Sequence, residues 1–278
     1  MNTSPVVLRL EGRFTCLLLV VVALFGAACA QRGGHPDGWT GATRRARAAP
    51  TRGENWISPT TGMMFIWISE LGFWVGRYEV TNGEYRKKES GHSSGDYEGQ
   101  SLDGDRQPVV YVDFDEAERY ATWLTDQDVA VAQAGLRYRL PLEREFVEFA
   151  KCGDDRRYPW GDLWPPESGK AGNYSDESAR KLFSGWRAVP GYEDGHAVSA
   201  PVEESGAQSW GLSGVGGNVW EFCRSDDGDG SFGAMRGASW ANHKREELRI
   251  AQRNAFGGSA RSGNYGFRLV LAPAPIRP

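Results

Sequence analysis

The sequence predicts an α+β fold with two main helices, short strands and much irregular loop. Both helical patterns fall in the first half of residues 54–273, and after residue 155 Gly, Pro, Trp, Asn and Asp interrupt the chain every few positions. The composition agrees, because 36 glycines and 11 tryptophans among 278 residues are typical of a globular chain rich in loops and aromatic residues.

The first thirty residues have the pattern of an export signal. Two arginines, Arg9 and Arg13, precede an apolar run over residues 14–25 and three small residues at 26–28. The run is shorter than the roughly 20 residues that span a bilayer. This favours a cleaved signal peptide, at residues 1–30, rather than a transmembrane helix. Cys29 fits a lipidated lipoprotein residue, and 28–30 also fits ordinary cleavage. The predicted location is therefore the cell envelope, periplasmic or outer membrane with a lipid anchor, or the secreted fraction.

Residues 31–53 consist largely of Gly, Ala, Arg, Thr and Pro without apolar periodicity, so they are predicted to form a flexible linker. The folded domain is predicted over residues 54–273, with a short tail at 274–278. A formal net charge of −4 gives the chain no basic field. Nucleic acid is thereby excluded as the expected partner, because binding to its backbone requires clustered Lys and Arg.

The start of the domain predicts strands and a short helix. Residues 63–68 and 73–80 are β-prone runs joined by a tight connection. A short helix is expected near 83–86, and the polar residues 89–107 are expected to form a surface loop.

Two longer helices follow. Asp113 and Glu116 have capping-box spacing, and an apolar face recurs from Ala117 to Leu124. Pro141 suits the first turn of the second helix, which is expected to end at Gly153. The acidic residues of this second helix are predicted to form a solvated face; they are Glu143, Glu145 and Glu148.

Two cysteines remain once the export segment is set aside, Cys152 and Cys223. They could form one disulfide bond or stay as two free thiols, and the spacing leaves both alternatives open.

Six short motifs, in order across about 190 residues, resemble the formylglycine-generating enzyme family, also called sulfatase-modifying factors. They are Gly76-Arg77-Tyr78-Glu79-Val80-Thr81-Asn82, Arg139-Leu140-Pro141-Leu142-Glu143-Arg144-Glu145-Phe146, Tyr158-Pro159-Trp160-Gly161, Gly217-Asn218-Val219-Trp220-Glu221-Phe222, Arg236-Gly237-Ala238-Ser239-Trp240 and Gly266-Phe267-Arg268. The resemblance implies a C-type-lectin-like fold. In it Gly237 and Gly266 permit close backbone approach, and the motif aromatics Trp160, Trp220, Trp240 and Phe267 form core.

Enzymes of the family resembled here hold copper with two cysteines five residues apart, just before the final Gly-Phe-Arg. Counting back from Gly266 places those positions at Arg245 and Ile250. Neither side chain offers the soft thiolate that binds Cu(I). The resemblance therefore implies that copper is not expected and that no catalytic residue can be assigned.

The resemblance also implies calcium, a hard cation that prefers oxygen ligands. For a first site it implies side-chain oxygens of Asn173 and Asp194 with backbone carbonyls of Tyr174 and His196. For a second site Gly217, Val219 and Glu221 match, but Gly214 stands where an Asn or Asp ligand is expected.

The expected function is that of a noncatalytic envelope or secreted protein that binds a protein, small-molecule or glycan ligand through residues 240–265. Polar residues beside a few aromatics are typical of recognition loops. The candidate ligand-binding residues are Asn242, His243, Arg249, Gln252, Arg253, Asn254, Asn264 and Tyr265. Two alternatives stay open, a formylglycine-generating-type oxidase or maturase with an atypical active site and a structural envelope component of the gliding type.

Overall fold

The computed structural model describes residues 49–273 except 170, 228 and 256. The predicted signal peptide, Cys29, most of the predicted linker and the tail at 274–278 lie outside the described residues. Within that part the chain forms ten strands and five helices. The strands are β1 Trp56–Ile57, β2 Met64–Ile68, β3 Phe73–Gly76, β4 Asp96–Tyr97, β5 Gln100–Ser101, β6 Leu136–Arg139, β7 Trp220–Arg224, β8 Phe232–Arg236, β9 Tyr265–Gly266 and β10 Val270–Pro273. The helices are α1 Asn82–Tyr85, α2 Phe114–Gln127, α3 Val129–Gln133, α4 Glu143–Lys151 and α5 Glu177–Leu182.

The larger sheet has the strand order β1-β2-β3-β10-β6 and is antiparallel throughout. β10 lies between two strands from the first half of the chain, with Val270 opposite Val75 on one side and Arg139 on the other. The two predicted β-runs correspond to β2 and β3. β3 ends at Gly76, earlier than predicted, and the backbone then bonds to the segment before β10, where the Val80 N–H donates to the Phe267 carbonyl at 2.9 Å.

Local capping fixes the first two helices. The Thr81 hydroxyl accepts from the Glu84 N–H in the first turn of α1, and the Asp113 carboxylate accepts from the Glu116 N–H in the first turn of α2. In both cases the glutamate side chain accepts a hydrogen bond from the backbone N–H of the capping residue. The apolar face predicted for α2 is confirmed, because its members Ala117, Tyr120, Ala121 and Leu124 are buried.

The second predicted helix, α4, begins at Glu143, two residues after Pro141. It ends at Cys152, which has a left-handed backbone with φ of 51°, just before Gly153. The predicted solvated face is wrong for two of its three acids. Glu143 is buried and bonds to two arginines, and Glu145 forms an ion pair with Arg139. The two arginines bonded to Glu143 lie 93 and 110 residues further along the chain, and helical periodicity does not reveal them.

The second half of the chain has little regular structure. β7 pairs with β8 antiparallel and with β9 parallel to give a three-stranded sheet. Three of the four motif aromatics are buried as predicted, namely Trp220, Trp240 and Phe267, whereas Trp160 is half-buried and stacks on Tyr158 with ring centroids 4.7 Å apart.

The two motif glycines lie where backbones meet. A Cβ at Gly266 would lie 2.7 Å from the Val109 carbonyl oxygen, and one at Gly237 would lie 3.1 Å from that of Val215. Close backbone approach is therefore confirmed at Gly266. At Gly237 a φ of +96° adds a second reason for glycine.

Both cysteines of the described chain are free thiols, with Cys223 buried in β7 and Cys152 partly exposed at the end of α4. Among the residues that the structure describes, no helix is both long enough and apolar enough to cross a membrane.

Candidate functional site

A polar pocket of about 600 Å³ lies between the segment 242–255 and the strand β9. It brings together six of the eight predicted ligand-binding residues, whereas His243 and Arg249 do not line it. The full lining is Trp220, Asn242, Glu247, Gln252, Arg253, Asn254, Ala255, Asn264 and Tyr265.

Serine and asparagine side chains hold one wall of this pocket in place. The Asn242 amide oxygen accepts from the Ser239 hydroxyl at 2.7 Å and from the Ser239 N–H at 3.0 Å. Asn264 donates from its amide nitrogen to the same hydroxyl at 3.0 Å, and its oxygen accepts from Ser262 at 2.7 Å. These bonds join the segment after β8 to the segment before β9, so the pocket depends on two stretches separated by some 25 residues.

One carboxylate, that of Glu247, lines the pocket. Its Oε2 accepts from the Asn242 amide nitrogen at 3.0 Å, and its Oε1 lies 3.1 Å from the exposed Lys244 ammonium. Burial raises the pKa of Glu247, but the bonds from Asn242 and Lys244 outweigh it and leave that pKa below its usual value. The pocket therefore contains a negative charge.

The opposite wall is anchored by ion pairs to the buried carboxylate of Glu143. Arg253 donates from Nε and Nη2 to the two oxygens of Glu143, each at 2.6 Å, and Arg236 donates to the same carboxylate at 2.7 Å. The bonds from Arg253 and Arg236 hold the pKa of Glu143 below its usual value despite burial. Backbone bonds between Met235 and Asn254 then attach the wall to β8.

The two positions counted back from Gly266 lie elsewhere. Arg245 donates from Nε to the Tyr158 hydroxyl at 3.0 Å, and its guanidinium lies 5.7 Å from the centroid of the Trp164 ring. Ile250 is buried in an apolar cluster with Phe146 and Phe149. Neither side chain lines the pocket.

The residues of the first predicted calcium site do come together. The Asp194 carboxylate accepts from the Tyr174 N–H at 2.9 Å and from the His196 N–H at 3.0 Å. The Asn173 amide nitrogen donates to the Val198 carbonyl at 2.8 Å, while its buried Oδ1 has no hydrogen-bond partner among the described residues. The His196 ring is directed to Glu204, 3.2 Å away, which leaves its backbone carbonyl as the candidate ligand.

These residues fit a hard cation. Burial, together with the nearby Asp176, raises the pKa of Asp194 to about 8, and a bound cation would offset both effects. The unpartnered Asn173 oxygen is the kind of buried polar atom that an ion or water satisfies. Across the described part of the chain, no three His, Cys, Asp or Glu side chains are grouped closely enough to hold a metal ion. A cation at this site would therefore be held by the single carboxylate of Asp194 together with amide and carbonyl oxygens.

The second predicted calcium site has a different arrangement. Both carboxylate oxygens of the buried Glu221 accept from Arg268, at 2.7 and 2.8 Å. Gly214 lies against Glu79, whose two carboxylate oxygens would be 2.3 Å from a Cβ at that position. An aspartate at 214 would therefore have to displace the Glu79 carboxylate, and in the Gly217, Val219 and Glu221 set both oxygens of Glu221 are already bonded to Arg268.

Glu79 is itself unusual, being fully buried with no hydrogen-bond partner for either oxygen among the described residues. Burial raises its pKa to about 8; Arg268, 4.0 Å away, opposes this effect and the Glu221 charge adds to it.

The profile of the sulfatase-modifying factor enzyme 1-like domain matches residues 53–273. The chain belongs to this family. Among curated relatives, the formylglycine-generating enzyme of Thermomonospora curvata is 32% identical over 168 residues, covering 60% of this chain and 46% of the relative. That of Streptomyces coelicolor is 31% identical over 186 residues, covering 59% and 52%. The chain thus spans about half the length of the curated relatives it matches.

Two solved structures share the fold of this sulfatase-modifying-factor-like domain. PvdO from Pseudomonas aeruginosa superposes with a TM-score of 0.57 at 21% identity, covering 81% of this chain and all of that one. Treponema denticola variable protein 1 superposes with a TM-score of 0.55 at 17% identity, covering 80% of this chain and 99% of that one. The α+β fold predicted from the six motifs is therefore confirmed.

Sequence reasoning about this family member missed three residues of the site. Trp220 and Glu143 were assigned to the core and to a solvated face, yet Trp220 lines the pocket and Glu143 anchors its wall. Glu247 lies inside the predicted 240–265 surface and was not selected. Its position five residues after Asn242 was the signal available, because the two side chains bond to each other in the lining.

Proposed function

We propose that this chain is a noncatalytic member of the sulfatase-modifying factor family, exported to the cell envelope, that binds a polar ligand in the pocket at 242–265. One observation carries the proposal: the described residues that line the pocket supply amide, carboxylate, guanidinium, phenol and indole groups but no thiol.

Copper does not fit this set of donors. Cu(I) is a soft ion that selects thiolate or thioether ligands. The described thiols lie away from the pocket: Cys223 is buried in β7, where burial raises its pKa well above the usual value, and Cys152 contacts the Gln208 amide oxygen beyond α4. A buried thiol with a raised pKa is a poor source of thiolate.

The same donors suit a polar organic ligand. The amides of Asn242, Gln252, Asn254 and Asn264 can each donate and accept, and the rings of Trp220 and Tyr265 add flat apolar surface. A volume of about 600 Å³ is within the range of small-molecule sites. A short segment of a protein or glycan therefore matches the pocket in size and chemistry.

The catalytic alternative rests on a specific observation, since the bacterial relatives above 30% identity are named formylglycine-generating enzymes. The two alternatives differ in what the wild-type protein does with copper. Exported protein is given Cu(I) and a cysteine-bearing sulfatase peptide, with the Thermomonospora curvata enzyme as the positive control. We expect no tight copper binding and no change in peptide mass. Stoichiometric copper binding together with peptide oxidation contradicts the proposal.

Binding is tested on a glycan array and a peptide library. The Tyr265→Ala and Asn242→Ala variants are expected to lose every ligand that the wild type retains. Arg249→Ala is the matched control, because Arg249 is an exposed residue of the same segment that lies outside the pocket. Equal loss in all three variants, or retention in all three, would place the ligand elsewhere.

Anchoring rests on the sequence of the export segment alone. If Cys29 is lipidated, Cys29→Ser releases the protein from the membrane fraction or blocks its processing. An observed N-terminus at Gln31 with unchanged fractionation supports simple secretion instead.

A further inference from the structure

Two residues with a five-residue separation lie side by side in the lining of the pocket. Asn242 donates from its amide nitrogen to Glu247 Oε2 at 3.0 Å, and both side chains belong to the lining. Arg245 and Ile250 have the same separation, but one contacts Tyr158 and the other is buried in core.

The backbone explains why residues 242 and 247 can meet. The Asn242 N–H donates to the Ser239 carbonyl, and the Glu247 N–H donates to the Lys244 carbonyl, so the chain makes two successive turns around the intervening residues. Side chains at the two ends of this segment therefore point into one space. Two cysteines at these positions would place both thiolates in the pocket, as a shared Cu(I) requires.

We propose that Asn242 and Glu247 occupy the positions at which catalytic members hold copper, and that here they form a recognition point for an N–H or ammonium group of the ligand. This inference rests on the proposed function, because it names which ligand chemistry the noncatalytic pocket takes.

Glu247 is suited to that role. Its carboxylate has two oxygens, of which one accepts from Asn242 and the other pairs with Lys244, so each keeps a lone pair for a further donor. The Lys244 side chain is mostly exposed, which weakens that ion pair through solvent screening. Trp220 and Tyr265 line the same pocket, and a cation held beside an aromatic ring gains additional attraction.

The positional claim is tested by restoring the thiols. The full exported protein with Asn242→Cys and Glu247→Cys is titrated anaerobically with Cu(I) against a chromogenic chelator. We expect one Cu(I) per chain, bound at least about two orders of magnitude more tightly than by wild type, with release of the two thiol protons. The matched control carries Arg245→Cys and Ile250→Cys and is expected to bind no better than wild type. Tight binding by the control alone, or by neither folded variant, overturns the assignment.

A second measurement applies if the double variant does not fold. Single Asn242→Cys and Glu247→Cys variants should react with a water-soluble maleimide in the native state, whereas Ile250→Cys should react only after unfolding. Protection of residue 242 or 247 in the native protein contradicts the pocket placement.

The recognition claim is tested on wild type and Glu247→Gln with two versions of one array hit, a cationic one with a free amine and a neutral one in which that amine is acetylated. The Gln variant keeps the shape and loses the charge, so we expect it to weaken binding of the cationic version about tenfold or more and to leave the neutral one nearly unchanged. Equal weakening of both overturns the cation assignment. Copper-dependent oxidation by wild type would instead contradict the proposed function, so the two failures are distinguishable.

Discussion

In the half of the domain built on the larger sheet, the helices begin with hydrogen bonds between residues close in sequence. In the half that carries the pocket, side-chain hydrogen bonds between residues far apart in sequence order the backbone. In the first half, helices begin with bonds between residues three apart, Thr81 with Glu84 and Asp113 with Glu116. In the second half the decisive bonds join Asn173 to Asn218, 45 residues apart, and Glu143 to Arg253, 110 residues apart.

The difference shows what irregular backbone requires. Buried N–H and C=O groups that have no ladder or helix partner must be satisfied by side chains. Asn218 is an example, because its side chain accepts from the Ala200 N–H at 2.9 Å and from the Asn173 amide at 3.1 Å. The second half contains a series of such buried polar residues, among them Asn173, Ser175, Asp176, Ser199, Ser205, Ser213, Asn218, Glu221 and Ser239.

The largest expected effect comes from Arg268, which joins the two halves. Its guanidinium donates to Glu221 and to the carbonyls of Gly76 and Ser213. Arg268→Met leaves Glu221 buried without its counter-ion, so we expect a loss of about 3–5 kcal/mol in the free energy of unfolding, measured in urea. The control Arg261→Met removes exposed ion pairs with Asp113 and Glu116 and should change stability by no more than about 1 kcal/mol. Similar losses in both would contradict the special role of the buried pair.

Calcium should stabilise the second half and leave local capping untouched. Near 100 times its dissociation constant an ion that binds only the folded state adds about 2.7 kcal/mol, which raises the melting midpoint by several degrees. We expect a chelator to lower the midpoint of wild type and to leave Asp194→Ala nearly unchanged. Asp229→Ala is the control, because its carboxylate caps an exposed turn at Ser231, and it should respond as wild type does. Identical melting of wild type with calcium and with chelator would show that the first site is empty.

Glu79 should make stability depend on pH. The folded state keeps the Glu79 proton up to about pH 8, whereas an unshifted glutamate releases it near 4.5, so the unfolding free energy falls as pH rises through that window. In saturating calcium, the unfolding free energy of Glu79→Gln should fall over this pH range by on the order of 1–2 kcal/mol less than that of wild type. The variant should therefore be the more stable protein above pH 8. Parallel pH profiles for the two proteins would show that Glu79 is ionised and stabilised by another contact.

The smallest expected effect is local. Asp113→Ala removes the N-cap of α2 and should lower the unfolding free energy by about 1 kcal/mol. Asp126→Ala, at an exposed position near the other end of α2, should stay within about 0.5 kcal/mol of wild type. Because Asp113 also pairs with Arg261, Asp113→Asn separates the cap from the charge: it should recover most of the loss if capping dominates.

The sequence alone determined the two capped or periodic helices and, through six motifs, the fold. These features depend on neighbours within a few residues or on short sequence motifs, and so they can be predicted from the sequence without a structure. It also identified the segment of the pocket, because polar residues there alternate with glycine and aromatics. Counting from Gly266 alone placed the thiol positions at Arg245 and Ile250, outside the pocket.

Only the tertiary structure decided which side chains meet. It put Glu143 under two arginines instead of in solvent, set Asn242 against Glu247 and buried Glu79 beside Gly214. The physical reason is the same in each case. A side chain's partner is set by how segments pack and turn in three dimensions, and the local sequence pattern around the residue carries no record of that arrangement.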